Sequence, residues 1–208
     1  MSAELPDAPA CARNREPILA HLRRLLADSR HVLEIGSGTG QHAVYFAHRL
    51  PQLTWQTSDR AENLPAICAW LEAEPADNLP PPLALDVNGD WPPLAVDTIF
   101  TANTLHIMSA DSVRQFFRQL PRVLPPGGRL IVYGPMKIGG DYIGPTNADF
   151  DLWLKERDPA SGIRDLEWLD QLALAGGLAR EELNYLPANN QLVVWRRKTK
   201  GSRNARVV

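Results

Sequence analysis

The stretch Val32-Leu33-Glu34-Ile35-Gly36-Ser37-Gly38-Thr39-Gly40-Gln41-His42 decides the fold of this chain. An apolar run ends in an acid, three glycines follow at alternate positions, and a helical pattern begins after them. Glycine adopts backbone conformations that side chains block, and it lets a ligand approach the main chain closely. The pattern therefore predicts a strand, a tight turn and a helix whose first amide groups face a nucleotide-containing cofactor.

Two cofactor classes use such a turn. The dinucleotide fingerprint G-x-G-x-x-G/A would place Gln41 at its third small position, which disfavours it. The glycines instead fit E-x-G-x-G-x-G, which resembles the first motif of class I S-adenosylmethionine (SAM) methyltransferases. That resemblance implies that Glu34 orders the site near the methionine amino group and that Gly36, Ser37, Gly38 and Gly40 lie under the methionine and ribose. A glycine-rich surface turn without a ligand is the alternative.

Length and composition indicate one ordinary soluble globular domain. The chain has 208 residues, a net charge of −2 and a pI of about 6.2, so no global basic field favours nucleic acid as a partner. Residues 1–198 are predicted to form the domain, with an N-terminal helical lid, and the basic residues 199–208 to form a frayed tail. Cys11 and Cys68 lack metal-ligand spacing, so no metal site is expected. With no signal peptide and no membrane-spanning run, a cytoplasmic location is expected.

Strand-like and helix-like segments alternate along the chain. This alternation predicts a parallel sheet with helices on both faces, and the segments around Pro187-Ala188-Asn189-Asn190 predict a closing antiparallel hairpin. The expected fold is Rossmann-like, with a seven-stranded, mostly parallel sheet as in class I methyltransferases. Asn14 is predicted to cap the first helix, and the glycine-rich residues 135–147 are predicted to be an irregular loop over the substrate.

Polar residues that follow the predicted strands are the candidates for chemistry, because ligands bind at the carboxyl ends of parallel strands. Asp59 is assigned to the ribose hydroxyls, although it could be a helix-cap aspartate. Asp86, beside Val87, is assigned to the adenine amino group by the methyltransferase resemblance, and an ordinary turn aspartate is the alternative. Asn103 begins the segment that faces the methyl group in this fold. His106 is the candidate general base, or else a packed histidine.

The remaining candidates surround this site. His42 could reach the methionine carboxylate or lie on the surface. Arg13 and Asn14 precede the first strand, where this fold often carries a lid over the cofactor. They are assigned to substrate choice and could equally form a charged helix start. Tyr142 and Asn147 follow the fifth strand and could line a substrate pocket.

The whole chain also resembles a narrower group, the methyltransferase-like 26 family, over about residues 11–196. The resemblance rests on seven motifs: Arg13-Asn14-Arg15-Glu16-Pro17-Ile18-Leu19, the glycine-turn segment 33–42, Trp55-Gln56-Thr57-Ser58-Asp59, Asn103-Thr104-Leu105-His106-Ile107, Tyr133-Gly134-Pro135, Gly162-Ile163-Arg164-Asp165 and Pro187-Ala188-Asn189-Asn190. It implies a SAM-dependent methyltransferase fold and does not name a substrate.

The expected function is SAM-dependent methyl transfer to a small molecule. The chain lacks the N-P-P-Y and D-P-P-Y motifs of enzymes that methylate base amines or glutamine amides. A SAM-binding or partner-binding module without catalysis is the second hypothesis, and an NAD(P)-dependent oxidoreductase is the third. Oligomeric state is not predicted.

Overall fold

The strand before the glycine turn lies in the middle of a seven-stranded sheet. The structure, a computed structural model, describes residues 4–199. Its strands are β1 (His31–Ile35), β2 (Thr54–Asp59), β3 (Leu83–Ala84), β4 (Thr98–Ala102), β5 (Arg129–Gly134), β6 (Met136–Ile138), β7 (Asp141–Tyr142), β8 (Arg164–Asp165), β9 (Leu178–Leu186) and β10 (Asn190–Arg197). Its helices are α1 (Pro9–Leu25), α2 (Gln41–Arg49), α3 (Leu64–Ala73), α4 (Ala110–Val123), α5 (Pro145–Arg157) and α6 (Leu166–Ala175).

The order of the large sheet is β3-β2-β1-β4-β5-β10-β9. The first five strands in that order run parallel, and β10 pairs antiparallel with both β5 and β9. The predicted fold class is therefore confirmed. Because the order reverses direction between β1 and β4, the carboxyl ends of these two strands open a crevice suited to a ligand.

Helices cover both faces of the sheet. Along β1, Val32 packs into the apolar cluster that includes residues of α1 and α2, whereas Leu33 packs into the cluster that includes residues of α4 and α6. Successive strand residues point to opposite faces, so a strand with helices on both sides must be apolar throughout. This explains the apolar run before the glycine turn.

The prediction of an irregular loop over residues 135–147 is wrong. Strands β6 and β7 form a hairpin, and β8 adds to β6 to make a second, three-stranded sheet. Gly139 and Gly140 occupy the hairpin turn with φ of +62° and +83°. A two-residue hairpin turn of this hand requires positive φ at both positions, which glycine supplies at little cost. The glycines thus make a defined turn here.

The prediction that Asn14 caps the first helix is also wrong. Helix α1 begins at Pro9, so Asn14 lies inside the helix and is only 8% exposed. Proline is favoured in the first turn because its missing N–H would have no helical partner there. Pro17 lies within the same helix, whose apolar side is buried through Ile18, Leu19 and Leu22.

No helix within residues 4–199 has the length and apolar character needed to cross a membrane. All but Thr199 of the predicted basic tail lies outside the described residues.

Candidate active site

A first cavity of about 620 Å³ lies beside the glycine turn at the carboxyl ends of β1, β2 and β4. The sequence prediction placed eight of its lining residues in a cofactor site: Gly36, Ser37, Gly38, His42, Asp59, Asp86, Val87 and Asn103. The volume lies within the roughly 300 to 1,000 Å³ that small-molecule sites usually have. Residues that follow four strands, β1 to β4, therefore converge on one ligand-sized space.

Asp59 is held rigidly at the wall of the first cavity. Its Oδ2 accepts a hydrogen bond from the Gly38 amide at 2.8 Å, and its Oδ1 accepts from the Arg60 amide and from Asn63 Nδ2, each at 2.8 Å. A carboxylate has about four acceptor sites, so acceptor capacity remains for a ligand hydroxyl. Asp59 thus both shapes the glycine turn and presents an oriented acceptor.

Asp86 combines a turn role with a cavity position. Its Oδ1 accepts from the Asn88 amide at 2.9 Å, which is the side-chain turn that an ordinary loop aspartate makes. The residue is exposed and also lines the first cavity beside the buried Val87. The turn leaves the second carboxylate oxygen available to a ligand.

Glu34 lies beneath the glycine turn, away from the cavity lining. Its Oε2 accepts from Ser37 Oγ at 3.0 Å and from Trp55 Nε1 at 3.1 Å, and the residue is 2% exposed. Burial raises the pKa of the Glu34 carboxyl to about 7, against the two hydrogen bonds that lower it, and Asp59 raises it further. The position of Glu34 gives it an indirect role, in which it fixes Ser37 at the floor of the cavity.

Gly40 also lies outside the cavity lining. A Cβ on this residue would stand 3.2 Å from the Cα of Ile67 in α3, and its φ is +89°. The third glycine of the motif therefore allows α2 to pack closely against α3, a packing role in place of the predicted ligand contact.

A second cavity of about 670 Å³ adjoins the first, and both are lined by Ala10, Asn103 and Ile107. Four of the residues predicted for chemistry line it in addition to Asn103: Arg13, Asn14, His106 and Asn147. Asn147 is buried, and its Nδ2 donates to the Asn189 carbonyl at 3.1 Å, which joins α5 to the β9–β10 turn. The walls of the second cavity are mainly apolar and aromatic, including Tyr133, Phe150 and Trp153.

His106 is a buried, neutral imidazole in the wall of the second cavity. Burial lowers its pKa to about 4, and the nearby Arg164 lowers it further against the opposing effect of Asp151. Its ring lies edge-on to Phe150 at 5.3 Å between centroids. Among residues 4–199 the ring nitrogens have no hydrogen-bond partner, so a ligand in this cavity can supply one.

His42 connects the two cavities. It lines the first cavity, and its Nε2 lies 2.7 Å from Oδ1 of Asn14, which lines the second. Burial raises the pKa of Tyr133, which lines the second cavity, and the neighbouring Asn14 lowers it. Burial and Arg15 lower the pKa of His42 to about 4, so His42 is neutral at neutral pH and donates its Nε2 proton to the asparagine oxygen. The hydrogen bond between His42 and Asn14 therefore joins α2 to α1 at the boundary between the cavities.

Tyr142 lines neither cavity, contrary to the expectation that it would contact substrate. Its hydroxyl donates to Asp151 Oδ2 at 2.6 Å, and Lys155 Nζ binds the same oxygen at 2.6 Å. Asp151 is 1% exposed, and its Oδ1 accepts from the Ile163 amide at 2.6 Å. Tyr142 thus fastens the β6–β7 hairpin to α5.

Sequence reasoning missed two groups of lining residues. Ala8, Ala10 and Cys11, at the start of α1, line the first cavity, and small side chains in an irregular terminus give no chemical signal. Phe150 and Trp153 of α5 line the second cavity. Their spacing of three residues, which puts both rings on one side of a helix, was the available sign of an aromatic surface.

The fold is shared by solved methyltransferase structures. An O-methyltransferase family protein from Burkholderia thailandensis matches 92% of this chain and 58% of its own length, with 19% identity and a TM-score of 0.80. The SAM-dependent methyltransferase SibL in its apo form matches 91% of this chain and 56% of its own, with 21% identity and a TM-score of 0.77. Human N-acetylserotonin methyltransferase, solved in complex with SAM, matches 91% and 53%, with 17% identity and a TM-score of 0.76. The chain therefore has a class I methyltransferase fold and spans little more than half the length of these relatives.

A match to a family model assigns this chain to a protein family. Residues 6–197 match the family described as "Protein of unknown function (DUF938)", and this chain belongs to that family. The narrower resemblance to the methyltransferase-like 26 family stays a prediction.

Proposed function

We propose that this protein is a SAM-dependent methyltransferase that acts on a small molecule. The observation that carries the proposal is the pair of adjoining cavities, one built on the glycine turn and one walled by aromatic residues and His106. Transfer of a methyl group needs a cosubstrate and an acceptor side by side, in a space that excludes most water. The three solved structures named above are described as methyltransferases, which agrees with this proposal.

The first cavity fits SAM chemically. Its lining carries three carboxylates, Asp59, Asp86 and Asp158, and one arginine, Arg60, which lies 3.1 Å from Glu62. SAM combines ribose hydroxyls and an adenine amino group, which carboxylates accept, with a net positive charge, which carboxylates attract. Asp59 would hold the ribose hydroxyls, and Asp86 the adenine amino group.

The same cavity fits NAD(P) poorly. A dinucleotide site directs the amides of its glycine turn at a pyrophosphate. Here the Gly38 amide already donates to Asp59 Oδ2, so it is not free to bind a phosphate. The oxidoreductase hypothesis is therefore disfavoured by geometry as well as by Gln41.

When bound, SAM would supply an electrophilic methyl group on its sulfonium. A lone pair of the acceptor would take this methyl while the electrons of the C–S bond stay on sulfur, and the acceptor would lose a proton. We assign that proton to His106, since this residue lines the acceptor cavity and its ring nitrogens have no hydrogen-bond partner among the described residues. A pKa near 4 makes it a weak base that is neutral, and hence able to accept, at neutral pH. Positioning by the aromatic walls would supply much of the remaining acceleration.

Three measurements test the proposal. Mass spectrometry of the purified protein should find SAM or S-adenosylhomocysteine, and calorimetry should show that both bind. Incubation with labelled SAM and a metabolite extract should then release S-adenosylhomocysteine in step with a labelled product, and His106→Gln should lower that turnover at least tenfold while cofactor affinity changes less than threefold. Binding without turnover against broad metabolite pools would favour the non-catalytic module, and bound nicotinamide dinucleotide would overturn the proposal.

A further inference from the structure

The second cavity has an unusual charge arrangement. Arg13 is the one side chain in its lining that is charged at neutral pH, since the other lining residues are apolar, aromatic, neutral polar or the neutral His106. Among residues 4–199 the side chain of Arg13 makes no hydrogen bond and no ion pair. A cavity with mainly apolar walls therefore carries an uncompensated guanidinium at its rim.

Neighbouring acids do not compensate Arg13. Asp7 accepts from Gln41 Nε2 at 2.8 Å, and Glu16 accepts from the hydroxyl of Tyr45. No aspartate or glutamate lines the second cavity, whereas three aspartates line the first. The two adjoining cavities thus differ in sign, which would sort a cationic cosubstrate into one and an anionic molecule into the other.

The walls of the second cavity favour a flat ring. Phe150 stacks on Trp153 with 5.7 Å between ring centroids, and the edge of His106 meets the Phe150 ring at 5.3 Å. Tyr133 lines the cavity from the sheet side, and Ile107 adds an apolar surface that is 56% exposed. An aromatic ring that stacks on another aromatic ring, or meets it edge-on, gains more than a saturated ring of similar size gains from burial alone. A volume of about 670 Å³ holds a molecule of one or two rings.

We infer that the methyl acceptor is a flat aromatic compound with one anionic group, such as a carboxylate, and that Arg13 binds this group. The inference rests on the proposed function and names the substrate class of its acceptor cavity. The planar guanidinium of arginine suits bidentate binding of a carboxylate. The ring lies among the aromatic walls, so the nucleophilic group of the acceptor is turned toward His106 and the first cavity. Arg13 acts as a specificity residue and takes no part in the bond changes.

Paired probes test the anionic requirement by calorimetry, on the free protein and on the protein saturated with S-adenosylhomocysteine. The pairs are 4-hydroxybenzoate with 4-hydroxybenzamide, and 6-hydroxy-2-naphthoate with its amide. The acid of at least one pair should bind about tenfold more tightly than the amide, which corresponds to ~1.4 kcal/mol. The preference should shrink at high salt, because Arg13 is exposed.

Two variants localise the effect. Arg13→Gln should reduce the acid-to-amide ratio to within twofold while S-adenosylhomocysteine affinity is kept, and Arg13→Lys should retain part of the preference. Arg23→Gln removes the same charge from an exposed position of the same helix, outside both cavities, and should keep the full ratio. A ratio that Arg13→Gln leaves unchanged would overturn the role of Arg13. Equal affinities in both pairs, or binding of neither acid, would overturn the anionic acceptor.

A third comparison tests the ring. The saturated analogue trans-4-hydroxycyclohexanecarboxylate should bind about threefold to tenfold more weakly than 4-hydroxybenzoate, because it cannot stack. Equal binding of the two would overturn the aromatic acceptor. Failure of the proposed function has a different signature, since S-adenosylhomocysteine would then not bind while the acid-to-amide ratio on the free protein still reports on Arg13.

Discussion

Glu34 links the glycine turn to the stability of the fold. Its pKa is about 7 in the folded protein because of burial, against an ordinary value of 4.5. Between these pH values the folded state keeps a proton that the unfolded state has lost, so the free energy of unfolding should fall as pH rises from about 4.5 to about 7. The shift corresponds to roughly 3 kcal/mol at 1.36 kcal/mol per pH unit. Urea unfolding at a series of pH values measures it.

The matched variant for this measurement is Glu34→Gln. The amide oxygen can still accept from Ser37 and Trp55, but it does not titrate. The stability of the variant must be subtracted from that of the wild type, because two histidines also titrate. The lowered pKa values of His42 and His106 act in the opposite sense, so that stability is lost as pH falls from about 6.5 to about 4. The stability of the wild type minus that of the variant should decline between pH 4.5 and 7. A flat difference would contradict a protonated Glu34.

Asp59 and Asp86 should differ in their contribution to SAM affinity. Asp59→Asn turns an amide NH₂ toward the donors of Gly38 or Asn63, which disturbs the turn as well as the ligand contact. We expect a loss of roughly 1–3 kcal/mol in SAM binding, the usual cost of an unsatisfied buried polar group. Asp86→Asn keeps one acceptor oxygen at an exposed position, where water can satisfy the remaining groups, so it should cost less SAM affinity than Asp59→Asn. Calorimetry compares them, and a larger effect at Asp86 would reverse the assignment.

Single positions were predictable where topology fixes them. Asp59 and His106 follow strands that must end at the same edge of a parallel sheet, so strand order alone brings them to the crevice. Gly40 was misassigned because its constraint is the backbone of Ile67 in another helix, which is 27 residues away in the numbering and leaves no local trace. Contacts between distant segments of this kind have no signature in a single sequence.

The second sheet and α5 form a unit that is fixed by Asp151. The hydroxyl of Tyr142 donates to this buried carboxylate, so Tyr142→Phe removes a hydrogen bond to a charged acceptor while the ring keeps its place. We expect the free energy of unfolding to fall by roughly 1.5–3 kcal/mol, with SAM affinity unchanged because Tyr142 lines neither cavity. Denaturant unfolding and calorimetry measure the two quantities.

The control is Tyr185→Phe. Tyr185 is 63% exposed in β9, and its hydroxyl has no hydrogen-bond partner among the described residues. Removal of this hydroxyl should therefore change the free energy of unfolding by no more than about 0.5 kcal/mol. Equal stability of the two variants would show that the Tyr142–Asp151 bond contributes nothing net. A loss of SAM affinity in Tyr142→Phe would instead restore Tyr142 to the site.

Elements of the main sheet were easier to predict than the second sheet. The central strands β1, β4, β5 and β10 are mostly apolar runs that are buried on both faces, and the alternation of strands with helices identifies the architecture. The strands of the second sheet have three residues in β6 and two each in β7 and β8, too few to show a period. The same glycines that form the hairpin turn were interpreted as a sign of an irregular loop.

On the scale of the whole molecule, the N-terminal segment completes both cavities. Ala8 and Cys11 line the first, Arg13 and Asn14 line the second, and Ala10 lines both. Sequence reasoning assigned this segment to substrate choice alone. The structure adds two anchors to the cofactor side: the Ala8 amide donates to Gln41 Oε1 at 2.7 Å, and Trp70 Nε1 in α3 donates to the Pro6 carbonyl at 2.7 Å. The segment is thus attached to the helix that follows the glycine turn.

Cofactor binding should therefore slow amide hydrogen exchange in two distant stretches together. Ala8, Ala10 and Cys11 line the same cavity as residues 36–39, so a ligand there restricts opening of both stretches, whereas β9 at the far edge of the sheet should be unaffected. Gln41→Ala removes the acceptor of the Ala8 amide and the donor to Asp7. In that variant S-adenosylhomocysteine should still protect the turn, but protection of residues 8–14 should fall severalfold, because the segment can open while the ligand stays bound. Strong protection of the turn with none in residues 8–14 of the wild type would mean that the segment contributes only to the second cavity, and that its attachment to α2 is not part of the cofactor site.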